Sequence, residues 1–169
     1  MNERLFIREL TAVDGPLIAA AFARQGWHKT AAQYAMYWRE SQTEQRDVLV
    51  AEYEGAFAGY VTIVWQSDYP PFRQGNIPEI VDFNVLGVWQ RRGIGTALLD
   101  EAERRIARRS PIAGIGVGLL PDYGKAQILY VRRGYVPDGR GIWDHGRWPS
   151  YGDTLTLDDD VVLYFMKQL

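Results

Sequence analysis

The sequence predicts an α/β (α+β) chain forming a single domain over residues 1–169, with a central sheet of about seven strands flanked by about four helices. Short alternating or apolar runs of strand length recur between Leu5 and Lys167, helical spacings stand between several of them, and turn residues separate most neighbours. A chain of 169 residues with 47% hydrophobic content can bury a proper core, and no repeat, linker or low-complexity segment divides it.

The first element is a strand over Leu5 to Leu10. Thr11-Ala12-Val13-Asp14 supplies capping residues for a helix reaching about Arg24, and a second helix is expected over roughly Thr30 to Thr43. Asp47 to Glu54 and Phe57 to Gln66, joined by Gly55-Ala56, read as a hairpin. Ser67 to Gly75, with Pro70-Pro71, reads as a loop. A strand then begins near Pro78. Ile94, Leu98, Ala102 and Ile106 recur every four residues and give one apolar stripe to a helix continuing to Arg109, with Arg104, Arg105, Arg108 and Arg109 as a solvated basic end that complements its dipole. Ile112 to Leu120 is the next strand, Gly124 to Arg133 the next helix, Tyr135-Val136 opens another strand, and Val161 to Lys167 closes the sheet.

The most informative junction joins the run Val81-Asp82-Phe83-Asn84-Val85-Leu86 to that stripe. It reads Gln90-Arg91-Arg92-Gly93-Ile94-Gly95-Thr96. Glycines let the backbone turn tightly near a ligand, and successive amides at a helix start favour phosphate oxygens. A P-loop is excluded, since Gly95 precedes Thr96-Ala97-Leu98 instead of a Lys-Ser or Lys-Thr pair. A Rossmann fingerprint is not met either, since Leu98 stands where a third glycine belongs. The remaining pattern, Gln/Arg-x-x-Gly-x-Gly after a strand, resembles the pyrophosphate loop of the GCN5-related N-acetyltransferase (GNAT) family. Ala126-Gln127-Ile128-Leu129-Tyr130-Val131-Arg132-Arg133-Gly134-Tyr135 is similar to that family's second signature. Pro78 to Val85 looks like its central strand, with Glu79 fourteen residues before Gly93 as in the histone-acetylating members.

The resemblance spans essentially the whole chain. It implies a mixed, mostly antiparallel sheet splayed near its central strand, and acetyl-CoA as co-substrate without a metal. It assigns Glu79 as base or water-positioner, Tyr130 as the acid that donates a proton to, or hydrogen-bonds, the departing thiolate, and Asn84, Val85, Leu86, Gln90, Arg91, Arg92, Gly93, Ile94, Gly95, Thr96 and Gln127 to cofactor binding. Asp82 is the runner-up base. Period-two alternation puts Glu79, Val81, Phe83 and Val85 on one face and Asp82 and Asn84 on the other. Many members carry Asn where Tyr123 stands, which leaves that pantetheine hydrogen bond to Asp122, to Gln127, or to nothing.

The implied activity is direct transfer of acetyl to a primary amine of a small molecule or peptide. The alternatives are a non-catalytic acyl-CoA-binding module or a transferase for a longer acyl group. Cysteine is absent, so disulfides, thiolate nucleophiles and Cys-ligated metals are excluded, and His28 with His145 makes no metal case. A net charge of -2 argues against nucleic acid or anionic membrane as the main partner. No apolar stretch of about 18 residues occurs and Met1-Asn2-Glu3-Arg4 lacks a leader's apolar region, so a cytoplasmic protein is expected. An exposed strand edge leaves room for a homodimer. Trp27, His28, Tyr34, Tyr37 and Trp38 could hold a cationic acceptor, although core packing accounts for at least half of them; Asp144 with the tryptophans of a late loop over residues 141–149 either selects a cationic amine or belongs to a loop stabilised by its own aromatics.

Overall fold

The computed structural model describes residues 4–169; Met1-Asn2-Glu3, part of the expected N-terminus without a leader, lies outside them. Seven strands form one open, mixed sheet in the order β1-β2-β3-β4-β5-β7-β6, flanked by five α-helices. The strands are β1 (Leu5–Glu9), β2 (Arg46–Tyr53), β3 (Ala56–Val64), β4 (Glu79–Val85), β5 (Ile112–Gly118), β6 (Val136–Asp144) and β7 (Val161–Gln168). The helices are α1 (Asp14–Ala23), α2 (Ala31–Gln42), α3 (Pro70–Gln74), α4 (Ile94–Ile106) and α5 (Gly124–Arg132). Two compact units are recognisable, one of residues 4–65 with 80–106, the other of residues 66–79 with 107–169.

In the first unit β1 pairs antiparallel with β2 and β2 with β3. The hairpin turn is Glu54-Gly55, both at positive φ (52° and 79°), one residue earlier than expected. That combination twists with the strands in a two-residue turn. Asp14 opens α1 without a side-chain cap from Val13, and its carboxylate instead accepts from the Thr11 amide and from Arg8. Thr30 caps α2 by accepting from the Gln33 amide. The predicted stripe of α4 is buried at Ile94, Leu98, Ala102 and Ile106, against β2 and β3. The helix ends at Ile106, three residues before Arg109. Arg105 is no solvated charge: it bonds Glu101, Glu9 and Asp47, stitching α4 to β1 and β2.

In the second unit β7 pairs antiparallel with both β5 and β6. Helix α3 replaces the loop expected around Pro70-Pro71. Both prolines sit in its first turn, where their fixed φ suits the helix and their missing N–H groups cost no bond. It lowers Phe72, fully buried, edge-on against both Tyr69 and Tyr164. Residues 141–144 belong to β6, so only the later part of the expected 141–149 loop is loop. Among the described residues no helix is long and apolar enough to cross a membrane.

Candidate active site

The glycine segment lies between a 3-10 turn at Gly87–Trp89 and the start of α4. Arg91 and Gly93 both adopt left-handed backbone (φ 61° and 81°) on either side of Arg92. Such alternation turns successive amides toward one concavity. The first intrahelical bond is Ala97 N–H to Gly93 O at 3.0 Å, so the amides of Gly93, Ile94, Gly95 and Thr96 precede the helical ladder and form the positive end of its dipole. A Cβ at Gly95 would stand 3.0 Å from Phe83 Cζ, so the ring would have to give by a few tenths of an ångström to admit one. Ile94 anchors the turn in the core, while Gln90, Arg91, Arg92 and Thr96 are exposed. Arg92 lies over the rings of Trp89 and Tyr53 at 5.4 and 5.5 Å, and Gln90 Nε2 reaches Val85 O at 3.4 Å. The arrangement suits the oxygens of a diphosphate.

Strand β4 leads into this turn, and Asp82 interrupts it with φ 53°. One left-handed residue breaks the pleat, so the two-face alternation expected for Glu79 to Val85 does not run through it. Five donors converge on the Asp82 carboxylate. Lys29 Nζ (3.0 Å) and Asn84 Nδ2 (2.8 Å) bond Oδ1, and Gln33 Nε2 (3.1 Å), Tyr37 OH (3.0 Å) and Tyr60 OH (2.5 Å) bond Oδ2. Its acceptor capacity is fully used, which argues against Asp82 as a mobile base. Asn84 is thereby committed to Asp82 by its side chain, while Leu86 is buried with its amide on Ala58 O.

Glu79 belongs to the second unit, half-buried at the head of β4. Its carboxylate accepts from the Ser67 hydroxyl, whose oxygen accepts from the Tyr69 amide at 3.0 Å. Tyr130, on α5, is 5% exposed; burial, reinforced by the nearby Tyr123, raises its pKa far above the ordinary phenol. It is therefore neutral throughout the physiological range and is a hydrogen-bond donor. Gln127 is engaged by Gly118 O at 2.9 Å. Tyr123 lies flat against Gly118, where a Cβ would meet the ring at 2.5 Å, and donates to Asp159 at 2.9 Å. Tyr123 thus has a packing role that asparagine could not fill.

Residues 12–135 match the profile of the acetyltransferase (GNAT) family. The chain belongs to the GNAT family. No curated protein matches it. Among solved structures, YncA of Salmonella typhimurium, solved with its cofactor acetyl-CoA, has TM-score 0.68 at 17% identity, covering 98% of this chain and 94% of that one. The Salmonella typhimurium acetyl transferase that modifies the N-terminal serine of ribosomal protein L7/L12 has TM-score 0.71 at 13% identity, covering 99% and 96%. A ribosomal-protein-alanine N-acetyltransferase from Brucella melitensis has TM-score 0.68 at 20% identity, covering 97% and 99%. At these identities the likeness is one of fold.

Within this GNAT chain the aromatic segments follow the packing alternatives. Tyr34 and Tyr37 are core residues, Trp27 stacks on Phe22 at 5.8 Å, and the cations over these rings are the chain's own. Lys29 stands 5.8 Å from both Phe22 and Tyr60, and Arg46 4.2 Å from Tyr37. Asp144 is likewise spent, buried and paired with Arg147 at 2.9 Å and His145 at 2.6 Å, so it does not select a cationic amine. Folding brings His145 together with Asp158 and Asp160, their ligand atoms within 4.8 Å, a grouping that sequence separation concealed. His145 Nε2 meets Asp158 at 3.1 Å and its Nδ1 is on Asp144; these acidic neighbours raise its pKa, the Asp144 bond foremost.

Proposed function

We propose that this chain acts as one N-acetyltransferase domain that moves acetyl from acetyl-CoA directly to a primary amine of a small molecule or peptide. The observation that carries this is the left-handed turn at Arg91 and Gly93 opening α4 inside a GNAT sequence. Acetyl-CoA supplies an activated thioester carbonyl. The amides of Gly93 to Thr96, with Gln90, Arg91 and Arg92, hold its pyrophosphate; the β4 backbone at Asn84 and Val85, with Leu86 just beyond it and Gln127, holds its pantetheine arm. A backbone amide near Val85, where the family resemblance puts the oxyanion site, stabilises the charge that develops on the carbonyl oxygen. Glu79 takes the ammonium proton of the acceptor, directly or through water, because only the neutral amine is nucleophilic. Tyr130 stays protonated and donates a hydrogen bond to the departing sulfur. A thiol near pKa 8.5 is the stronger acid of the two, so a complete proton handover from the phenol would run uphill.

Two neighbours bearing on ribosomal proteins, one of them on an N-terminal serine, make a peptide amine a reasonable member of the acceptor panel. The test begins with thermal stability in acetyl-CoA, with NADH and ATP as controls. At a hundred times its dissociation constant a ligand stabilises by about 2.7 kcal/mol. A shift with acetyl-CoA alone supports the assignment; none, or one with NADH or ATP instead, overturns it. Amine-dependent thiol release then reads turnover without background, because the chain has no cysteine. Glu79→Gln should lower kcat/KM by about a hundredfold while the acetyl-CoA shift persists. Full turnover of Tyr130→Phe at every pH would remove Tyr130 from the chemistry.

A further inference from the structure

The second unit carries a cavity of about 590 Å³, lined chiefly by Arg140, Ile142, Trp148, Pro149 and Tyr151. One wall is aromatic and braced. Trp148 meets Trp143 edge-on at 4.6 Å, Trp143 meets Tyr69 at 5.3 Å, and Tyr69 lies flat on Tyr164 at 3.7 Å. Trp148 nevertheless leaves 45% of its surface in water, and Tyr151 is wholly exposed. Aromatic surface left open around a cavity is a common mark of ligand binding.

The cavity also has a charge of one sign. Register between β6 and β7 slips between Pro137 and Ile142, and Gly139 and Gly141 stand at φ 83° and 75°, so Arg140 sits on a looped-out stretch. Its guanidinium comes no nearer than 3.9 Å to Asp138, whose two oxygens already accept from Tyr69 OH (2.6 Å) and the Arg140 amide (3.0 Å). Arg147 differs, closing on Asp144 and Asp153 at 2.9 and 2.8 Å. The Arg140 fork is therefore open to a planar carboxylate. The aromatic wall runs back to Tyr164, which burial and then the charge of Glu79 hold in its neutral form, so wall and candidate base belong to one electrostatic neighbourhood.

We propose that this cavity receives the acceptor, an amino compound whose flat apolar group stacks on Trp148 and Tyr151 and whose carboxylate is held by Arg140. The proposal rests on the acetyltransferase reading. Its probe is 3-phenylpropionate, which has no amine and so reports binding apart from transfer. Its neutral control is 3-phenylpropanamide, and the readout is the indole N–H resonance of Trp148. Saturable displacement by the acid is expected, with the amide about tenfold weaker, Arg140→Gln about tenfold weaker for the acid, and Tyr151→Ala also weakened. Both side chains are exposed, so neither change should disturb folding. No saturable displacement, equal binding of the amide, or an unchanged Arg140→Gln would overturn the proposal. The acetyl-CoA thermal shift of the wild-type protein separates the two readings. A shift without probe binding overturns the cavity assignment alone. Probe binding without a shift overturns the transferase reading, and the acceptor role with it.

Discussion

Two aromatic regions of this chain have opposite fates. In the first unit Phe22, Tyr34, Tyr37 and Tyr60 pack edge to face around a carboxylate, and the chain fills the polar space itself with Lys29 and Arg46. In the second, Tyr69, Trp143, Trp148 and Tyr164 form a comparable stack, but its outer end stays open and the nearby Arg140 is only loosely compensated. Richness in aromatics does not distinguish a core from a ligand site. The distinction lies in whether the chain supplies the opposite charge from within, as Asp82 does for Lys29 and no carboxylate among the described residues does so closely for Arg140.

Removing that internal charge is the most severe way to break the comparison. Asp82→Ala strands the Lys29 ammonium among rings and leaves the hydroxyls of Tyr37 and Tyr60 without their acceptor. A partly buried pair broken on one side should cost about 3 kcal/mol, read as a lower denaturant midpoint. A loss under about 1 kcal/mol would mean that the first region is held by packing alone. Gly114→Ala probes the second region next. A Cβ there would stand 2.2 Å from Phe72 Cε2, and Phe72 is fully buried beneath Tyr69 and Tyr164. Overpacking of about 2 kcal/mol is expected, and a neutral result would show that the stack can yield.

These contrasts mark where the sequence was legible. Period and punctuation disclose the strands, the four longer helices and the apolar stripe of α4, because those signals are local. The turn at Gly93 is legible for the same reason: two glycines and two arginines after a strand have few other uses. Helix α3 is hidden, since Pro70-Pro71 reads equally as a loop until Phe72 finds its place against two stacked tyrosines. The break at Asp82 is hidden as well. Nothing in Val81-Asp82-Phe83 announces a left-handed residue, and the five donors that fix it come from α2, β3, β4 and the segment before α2. Arg140 escaped attention beside Trp143 and Asp144, because the glycines around it loop it out of the ladder while Asp144 is consumed by its neighbours.

The mildest probe is pH, and it sharpens the comparison through one carboxylate. Burial and then the charge of Asp82 push the Tyr37 phenol up to about 12, and the same two causes raise Tyr60 further. The unfolded chain releases these protons near pH 10. The stability contributed by the neutral phenols is therefore complete below about pH 10 and is lost as pH rises toward 12, where the folded Tyr37 also ionises. In Asp82→Asn the burial remains and the charge is gone, so Tyr37 should titrate lower by up to about one unit, equivalent to roughly 1.4 kcal/mol. In the second region Tyr69 is raised by burial and by Asp138, and should titrate as in the wild type. Absorbance at the phenolate band against pH, in wild type and variant, checks both. An unchanged alkaline limb in Asp82→Asn would show that burial alone holds the first region's tyrosines neutral, and an equal shift in both regions would remove the independence on which the comparison stands.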